Sequence, residues 1–295
     1  MSKPKLLNYG GQALIEGVMM RGSKAAAIAM RAPNQEIVIQ TEPLGRIYKS
    51  KVAKIPFLRG LVILWDALGL GMRALTVSAN MQTGEDEKLE GPTLYLTLIA
   101  AIALAVLLFF IIPTSLGQLA SHYLSISQWW SNLFEGLVRL LILICYIWAV
   151  GKIPEIDRVF AYHGAEHKTI NAFEAGAELT PDTVNRFSVE HPRCGTAFLL
   201  DVVLLSVILY SFLGPLSIAW RLASRILLIP IIAGIAYEYL RWTANHLESP
   251  LVRLLIRPNL ALQRLTTREP TLAMLEVSIA SFNAMRQAEQ EKVVL

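Results

Sequence analysis

Leu94-Tyr-Leu-Thr-Leu-Ile-Ala-Ala-Ile-Ala-Leu-Ala-Val-Leu-Leu-Phe-Phe-Ile-Ile-Pro-Thr-Ser-Leu116 contains no charged residue. About 20 apolar residues in helical form cross the ~30 Å hydrocarbon core of a bilayer. Three further blocks, 133–150, 197–213 and 222–240, have the same character. The third of the four is short and carries Asp201 near its start. Trp129, Trp130, Trp220 and Trp242 stand at block ends, where amphipathic rings favour the membrane interface. The chain is 54% hydrophobic and 17% charged, against about 25% charged in a soluble domain. These features predict an all-α multi-pass membrane protein with about four transmembrane helices.

The basic residues set an orientation. Of 27 lysines and arginines, twelve lie in 1–92, five in 151–196 and seven in 241–295, while 118–132 and 214–219 have none. The positive-inside rule then puts both termini and the 151–196 segment in the cytoplasm. The expected plan is a cytoplasmic N-terminal region (1–92), helices one and two (93–150), a cytoplasmic metal-site loop (151–196), helices three and four (197–242) and a cytoplasmic tail (243–295). The expected location is a membrane with these segments on its cytoplasmic side, and the expected partner is the lipid bilayer. The N-terminus lacks the apolar core of a cleavable signal peptide. A net charge of +4 gives no case for nucleic acid, and two cysteines make no disulfide framework. Cys145, inside an apolar block, reads as inert packing.

Before the first block the chain is mixed. Tyr9 to Gly22 holds four glycines and reads as a structured loop or bulged strand. Residues 25–31 and 36–42 flank the turn signal Ala32-Pro-Asn-Gln35 and read as a small β-hairpin. Residues 57–81 are apolar and helical but contain Arg59, Asp66 and Arg73. Charges at membrane depth are costly, so this is read as an interfacial amphipathic helix, a true span being the alternative. Residues 84–90 form an acidic linker. In the tail, Leu272, Leu275, Ile279 and Phe282 line one face of a helix that Thr271 can cap.

Chemistry concentrates between Tyr162 and Thr196, with three of the five histidines and Cys194. His163 and His167 are four apart and share a helix face, so both imidazoles reach one ion. With Glu166 they spell His-x-x-Glu-His, the order in which histidines hold zinc and glutamate is the base. His191 and Cys194 are the next ligands. Glu174, Glu178, Glu190 and His246 are reserves, and Asp201 is a functional candidate as an acid at membrane depth. The expected cofactor is a divalent metal, Zn²⁺ by ligand type. Three ligands with an open position make a catalytic site, whereas four make a closed structural one. Asp201 is read equally as a structural partner of Arg193 or of a tail arginine. Glu238 is read as interfacial. Glu135, Arg139, Arg221 and Arg225 are read as helix-end pairs and snorkelling side chains.

The strings Gly10-Gly-Gln-Ala-Leu-Ile-Glu-Gly-Val-Met-Met-Arg-Gly22, His163-Gly-Ala-Glu-His-Lys168, His191-Pro-Arg-Cys-Gly-Thr196 and Leu265-Thr-Thr-Arg-Glu-Pro270 resemble the bacterial DUF1385 family over nearly the whole chain. The resemblance implies a multi-pass membrane protein and a metal-dependent enzyme, with His163, Glu166, His167, His191 and Cys194 as site residues. The leading expectation is a zinc-type hydrolase on the cytoplasmic face with Glu166 as base. The alternative is a non-catalytic assembly or scaffold factor, its loop zinc-stapled or metal-free and docking a cytoplasmic protein.

Overall fold

Of its two readings, the glycine-rich stretch takes strand rather than loop, with no bulge in its register. In the computed structural model, which describes residues 9–44, 55–83 and 91–291, it forms β1 (Gly10–Leu14) and β2 (Gly17–Arg21). With β3 (Ala25–Arg31) and β4 (Ile37–Pro43) they make an antiparallel sheet in the order β1-β2-β3-β4. The expected hairpin is therefore half of a four-stranded meander. The first turn is Ile15-Glu16, with Glu16 at φ 52° and Leu14 paired to Gly17. A Cβ at Gly17 would stand 2.5 Å from the Ala29 carbonyl oxygen, so glycine is required there.

Both faces of the sheet are covered. Val18, Met20, Ala27 and Ala29 point to one core with residues of α5 (Pro154–Glu174) and α12 (Leu272–Glu291). Leu14, Met19, Ala26, Ile28 and Met30 point to a second core with Leu70 and Ala74 of α1 (Leu58–Gln82). A strand buried on both faces needs no polar alternation, which is why β2 and β3 show none in the sequence. The alanines of β3 let α12 come close, and Ser281 donates to the Ala27 carbonyl at 2.9 Å. Leu275, Ile279 and Phe282 are buried as their spacing predicts, whereas Leu272 is exposed. Thr271 accepts from the Met274 N–H, capping α12.

The apolar helices follow. α2 (Gly91–Val106), a π-helical turn (Leu107–Ile111) and α3 (Ile112–Leu124) run on from one another, and α4 is Gln128–Val150. After α5 and the single turn α6 (Pro181–Val184) come α7 (Gly195–Ser211), α8 (Ile218–Leu227) and α9 (Ile229–Asn245). The short α10 (Pro250–Leu255) and α11 (Arg257–Thr266) lead to α12. The stretches Leu58–Gln82, Gly91–Leu124, Gln128–Val150 and Ile218–Asn245 are long and apolar enough to cross a membrane, while α7 is apolar but only 17 residues long. The set differs from the sequence reading, which spanned 197–213 and laid 57–81 at the interface. Gly60, Gly69 and Gly71 do not break α1; Gly60 packs on Tyr237 and Gly71 on Gln12, while Gly69 has open space beside it.

Other expectations need correction. Cys145 is exposed on the outside of its helix. Residues 151–174 are largely helix α5 rather than loop. Glu135, Arg139, Arg221 and Arg225 do not snorkel; they meet in one buried network. Each guanidinium reaches the same carboxylate, and that pairing outweighs the draw of the interface. The acidic segment 84–90 and the basic residues at 46–54 lie outside the described residues.

Candidate metal centre

The centre is built on α5. Pro154 at its first turn, with Glu155 and Asp157, suits a helix start, where no N–H partner is needed and acidic charge is favoured. Gly176 at φ 71° ends it. The Ala177 N–H reaches the Ala172 carbonyl and the Gly176 N–H reaches Phe173, the paired bonds of a Schellman cap. Between these ends His163 and His167 stand one turn apart, ring centroids 4.4 Å from each other.

Cys194 completes the group. It precedes α7 and caps it, its Sγ accepting from the Thr196 N–H. His163 Nε2 lies 3.2 Å from Cys194 Sγ. One ligand atom each from His163, His167 and Cys194 falls within 4.8 Å of the others. Tetrahedral zinc with Zn–N near 2.0–2.1 Å and Zn–S near 2.3 Å needs neighbouring ligand atoms about 3.4–3.6 Å apart. The His163–Cys194 separation is close to that value and the 4.8 Å bound admits it for the other two pairs, so two imidazoles and a thiol are a donor set suited to that ion.

The outer nitrogens of both rings are committed. His163 Nδ1 donates to the Thr266 carbonyl at 2.8 Å, and His167 Nδ1 to the Val189 carbonyl at 2.6 Å. A carbonyl only accepts, so each Nδ1 carries a proton, and in the neutral ring the lone pair is then on Nε2, the nitrogen on the Cys194 side. Orientation of a ligating histidine by a carbonyl is the usual support of a metal site. Burial also pushes the His167 imidazole below its ordinary pKa, favouring the neutral ring a metal requires.

Two glycines make room. A Cβ on Gly164 would lie 2.1 Å from the Arg268 carbonyl oxygen, so glycine lets the 266–269 segment rest on α5. That contact, with the Arg268 N–H bonded to the Phe160 carbonyl, brings Thr266 to His163. A Cβ on Gly11 would meet the Glu166 carboxyl carbon at 2.9 Å. The Gly11 N–H donates to Glu166, whose pKa is raised by burial and pulled back by His163, His191 and Gly11. Glu166 is buried beside the centre and outside the three-atom group.

His191 is near and turned away. Its ring lies 5.7 Å from that of His167. Its Nδ1 accepts from the Arg193 N–H, and its Nε2 faces Glu174 at 3.7 Å. Gln263 of α11 holds its peptide from both sides, accepting from the His191 N–H and donating to the His191 carbonyl.

A family profile described as "Protein of unknown function (DUF1385)" matches residues 55–288. The chain belongs to that family. "Uncharacterized protein YqhQ" of Bacillus subtilis (strain 168) is 36% identical over 306 aligned residues, 98% of this chain and 96% of that protein. No solved structure matches.

In this DUF1385 chain the other candidates stand apart. Glu174 pairs with Arg193 beside His191. Asp201 accepts from Asn259 and meets neither Arg193 nor a tail arginine, and its Oδ2 is buried without a hydrogen-bond partner. His246 is exposed and bonds the Trp242 carbonyl one turn back. Glu190 pairs with Arg264 on the surface. The sequence reading missed the carbonyls of Thr266 and Val189, the glycine contacts and Gln263. Carbonyl acceptors leave no side-chain signature, although Thr266 falls within the Leu265–Pro270 string.

Proposed function

We propose that this protein is a metal-dependent hydrolase whose site lies where the sheet domain meets the membrane. One observation carries the reading. Three candidate ligand side chains converge, two of them oriented by carbonyls, while His191, the fourth candidate, is held on Arg193 and Glu174, so a four-coordinate ion here would keep one position open. Zinc at such a site supplies Lewis acidity and lowers the pKa of water. His163 and His167 would hold the ion through imidazole nitrogens, and Cys194, at the start of α7, through its sulfur. Glu166, buried beside the centre and outside the three-ligand group, would be the base that accepts the proton of the attacking water.

The placement rests on three supports. Basic residues cluster in 1–92, 151–196 and 241–295. The sheet, α5 and α12 pack on one another, so in this reading they share the cytoplasmic side. An even number of crossings must then separate β4 from α5, although α1, α2–α3 and α4 all lie between. α1 resolves the parity as a half-inserted helix. Its start at Phe57 lies against Gly234 and Gly60 against Tyr237, part-way along α9, and its end packs on the sheet. Four crossings remain, with α7 the shortest at about 26 Å by helical rise. Both termini then face the cytoplasm of the bacterial cell.

Glu166→Gln tests the chemistry. It keeps shape and metal ligands but removes the base, so zinc content should stay and function should fall ~10²–10⁴-fold, scored by complementation of a deletion strain with a phenotype. Full complementation by Glu166→Gln together with failure of Cys194→Ser would replace the hydrolase by a zinc-stapled scaffold.

A further inference from the structure

The end of the helix bundle remote from the sheet carries charge that the chain does not balance. Glu135 and Arg139 of α4 and Arg221 and Arg225 of α8 have relative exposures of 1%, 5%, 1% and 1%. Arg225 donates to both Glu135 oxygens at 2.9 and 2.8 Å, Arg139 to one at 2.8 Å and Arg221 to the other at 3.2 Å. Thr114 adds a fifth donor. The carboxylate is saturated, and the remaining guanidinium bonds go to neutral acceptors, among them Asn132, Ser131 and Gln118. Arginine stays protonated in proteins. Among the described residues, three guanidiniums therefore share one carboxylate, an excess of two positive charges in an apolar bundle where each is expensive.

A second observation points the same way. Arg139 Nη1 is buried with no hydrogen-bond partner. The backbone is shaped to seat this side chain. Pro113 has no N–H to give the Phe109 carbonyl four residues back, the helix opens into a π turn there, and Arg139 Nε takes that carbonyl at 2.8 Å. Effort spent on holding Arg139 rigid leaves one of its nitrogens unanswered.

We propose that this cluster binds a phosphate-type oxyanion, supplied either by an anionic lipid headgroup or by free phosphate. Such a group carries up to two negative charges, offers oxygens that match the guanidinium fork, and gives Arg139 Nη1 its acceptor. The nearer end of the bundle is the remote face. Arg221 is three residues into α8, Arg139 is eleven residues into α4, about 16 Å along it, and Gln118, bonded to Arg221, is exposed.

The test uses the full chain in detergent and in nanodiscs. Inorganic phosphate is titrated against thermal unfolding in phosphatidylcholine nanodiscs, and phosphatidylglycerol adducts are counted by native mass spectrometry against phosphatidylcholine. Stabilisation by phosphate identifies the soluble source, and a retained phosphatidylglycerol the lipid one; either supports the site. Arg139→Gln should weaken the binding about ten-fold. Glu135→Gln, which raises the excess charge, should tighten it and keeps the test open if the first variant fails to fold. Wild-type protein that prefers neither probe over phosphatidylcholine, or binding equal in wild type and both variants, overturns the proposal.

Discussion

Gly164 of α5 lies against the backbone of Arg268, so close that a Cβ would stand 2.1 Å from the Arg268 carbonyl oxygen. The segment behind that carbonyl delivers Thr266 to His163. Gly164→Ala must therefore push the segment away, since neither partner is a flexible side-chain tip. Overpacking of this kind costs about 1–3 kcal/mol. Loss of the carbonyl support should lower zinc affinity ~10–100-fold. Thermal unfolding and a zinc competition titration read the two effects. Wild-type affinity in a destabilised variant would show that the Thr266 contact does not orient His163.

Topology is open to direct measurement. Reporter fusions at Thr180 and at the C-terminus should report cytoplasm, and fusions at Ser125 and Pro215 the outside. A fusion between β4 and α1 should agree with the one at Thr180, because the sheet and α5 share a core. Opposite signals from 125 and 215 would end the four-crossing reading and with it the half-inserted α1.

Acid should loosen the junction of sheet and α5. Arg158 donates through two nitrogens to Glu16 at 2.6 Å each, and these bonds hold the Glu16 carboxyl below its ordinary pKa of 4.5. A depressed folded pKa gives stability that is full above the unfolded value and is lost as pH falls through the folded one. Arg158 is 56% exposed, so the pair is worth only about 0.5–1 kcal/mol. Arg158→Met should be less stable than wild type by that amount at neutral pH, with the gap closing below pH ~4.5. A constant gap down to strongly acidic pH would remove Glu16 as its origin.

The sequence made the apolar blocks plain, because a long run without charge has one economical use. Through spacing on one helix face it also pointed to His163 and His167, which the structure brings together with Cys194. It hid whatever depends on distant partners. β2 and β3 lost their alternation because helices cover both faces. Arg221 and Arg225 looked like interfacial side chains, because their partner Glu135 lies about 90 residues away. His191 and Cys194 seemed equivalent ligands at their spacing. The Gln263 clamp and the contacts to Arg193 and Glu174 separate them, and all but Arg193 are distant in sequence.

The central claim is that one metal ion is held by His163, His167 and Cys194. The most direct measurement is zinc stoichiometry and affinity of the purified full chain, prepared without chelator. It is paired with cobalt substitution, in which a Cys–cobalt bond gives a near-ultraviolet charge-transfer band. The account predicts one ion per chain. The band should disappear in Cys194→Ser, and metal should fall in His163→Ala and His167→Ala but be kept in His191→Ala. Protein that takes up neither zinc nor cobalt, or that loses metal with His191→Ala as fully as with His167→Ala, would contradict it.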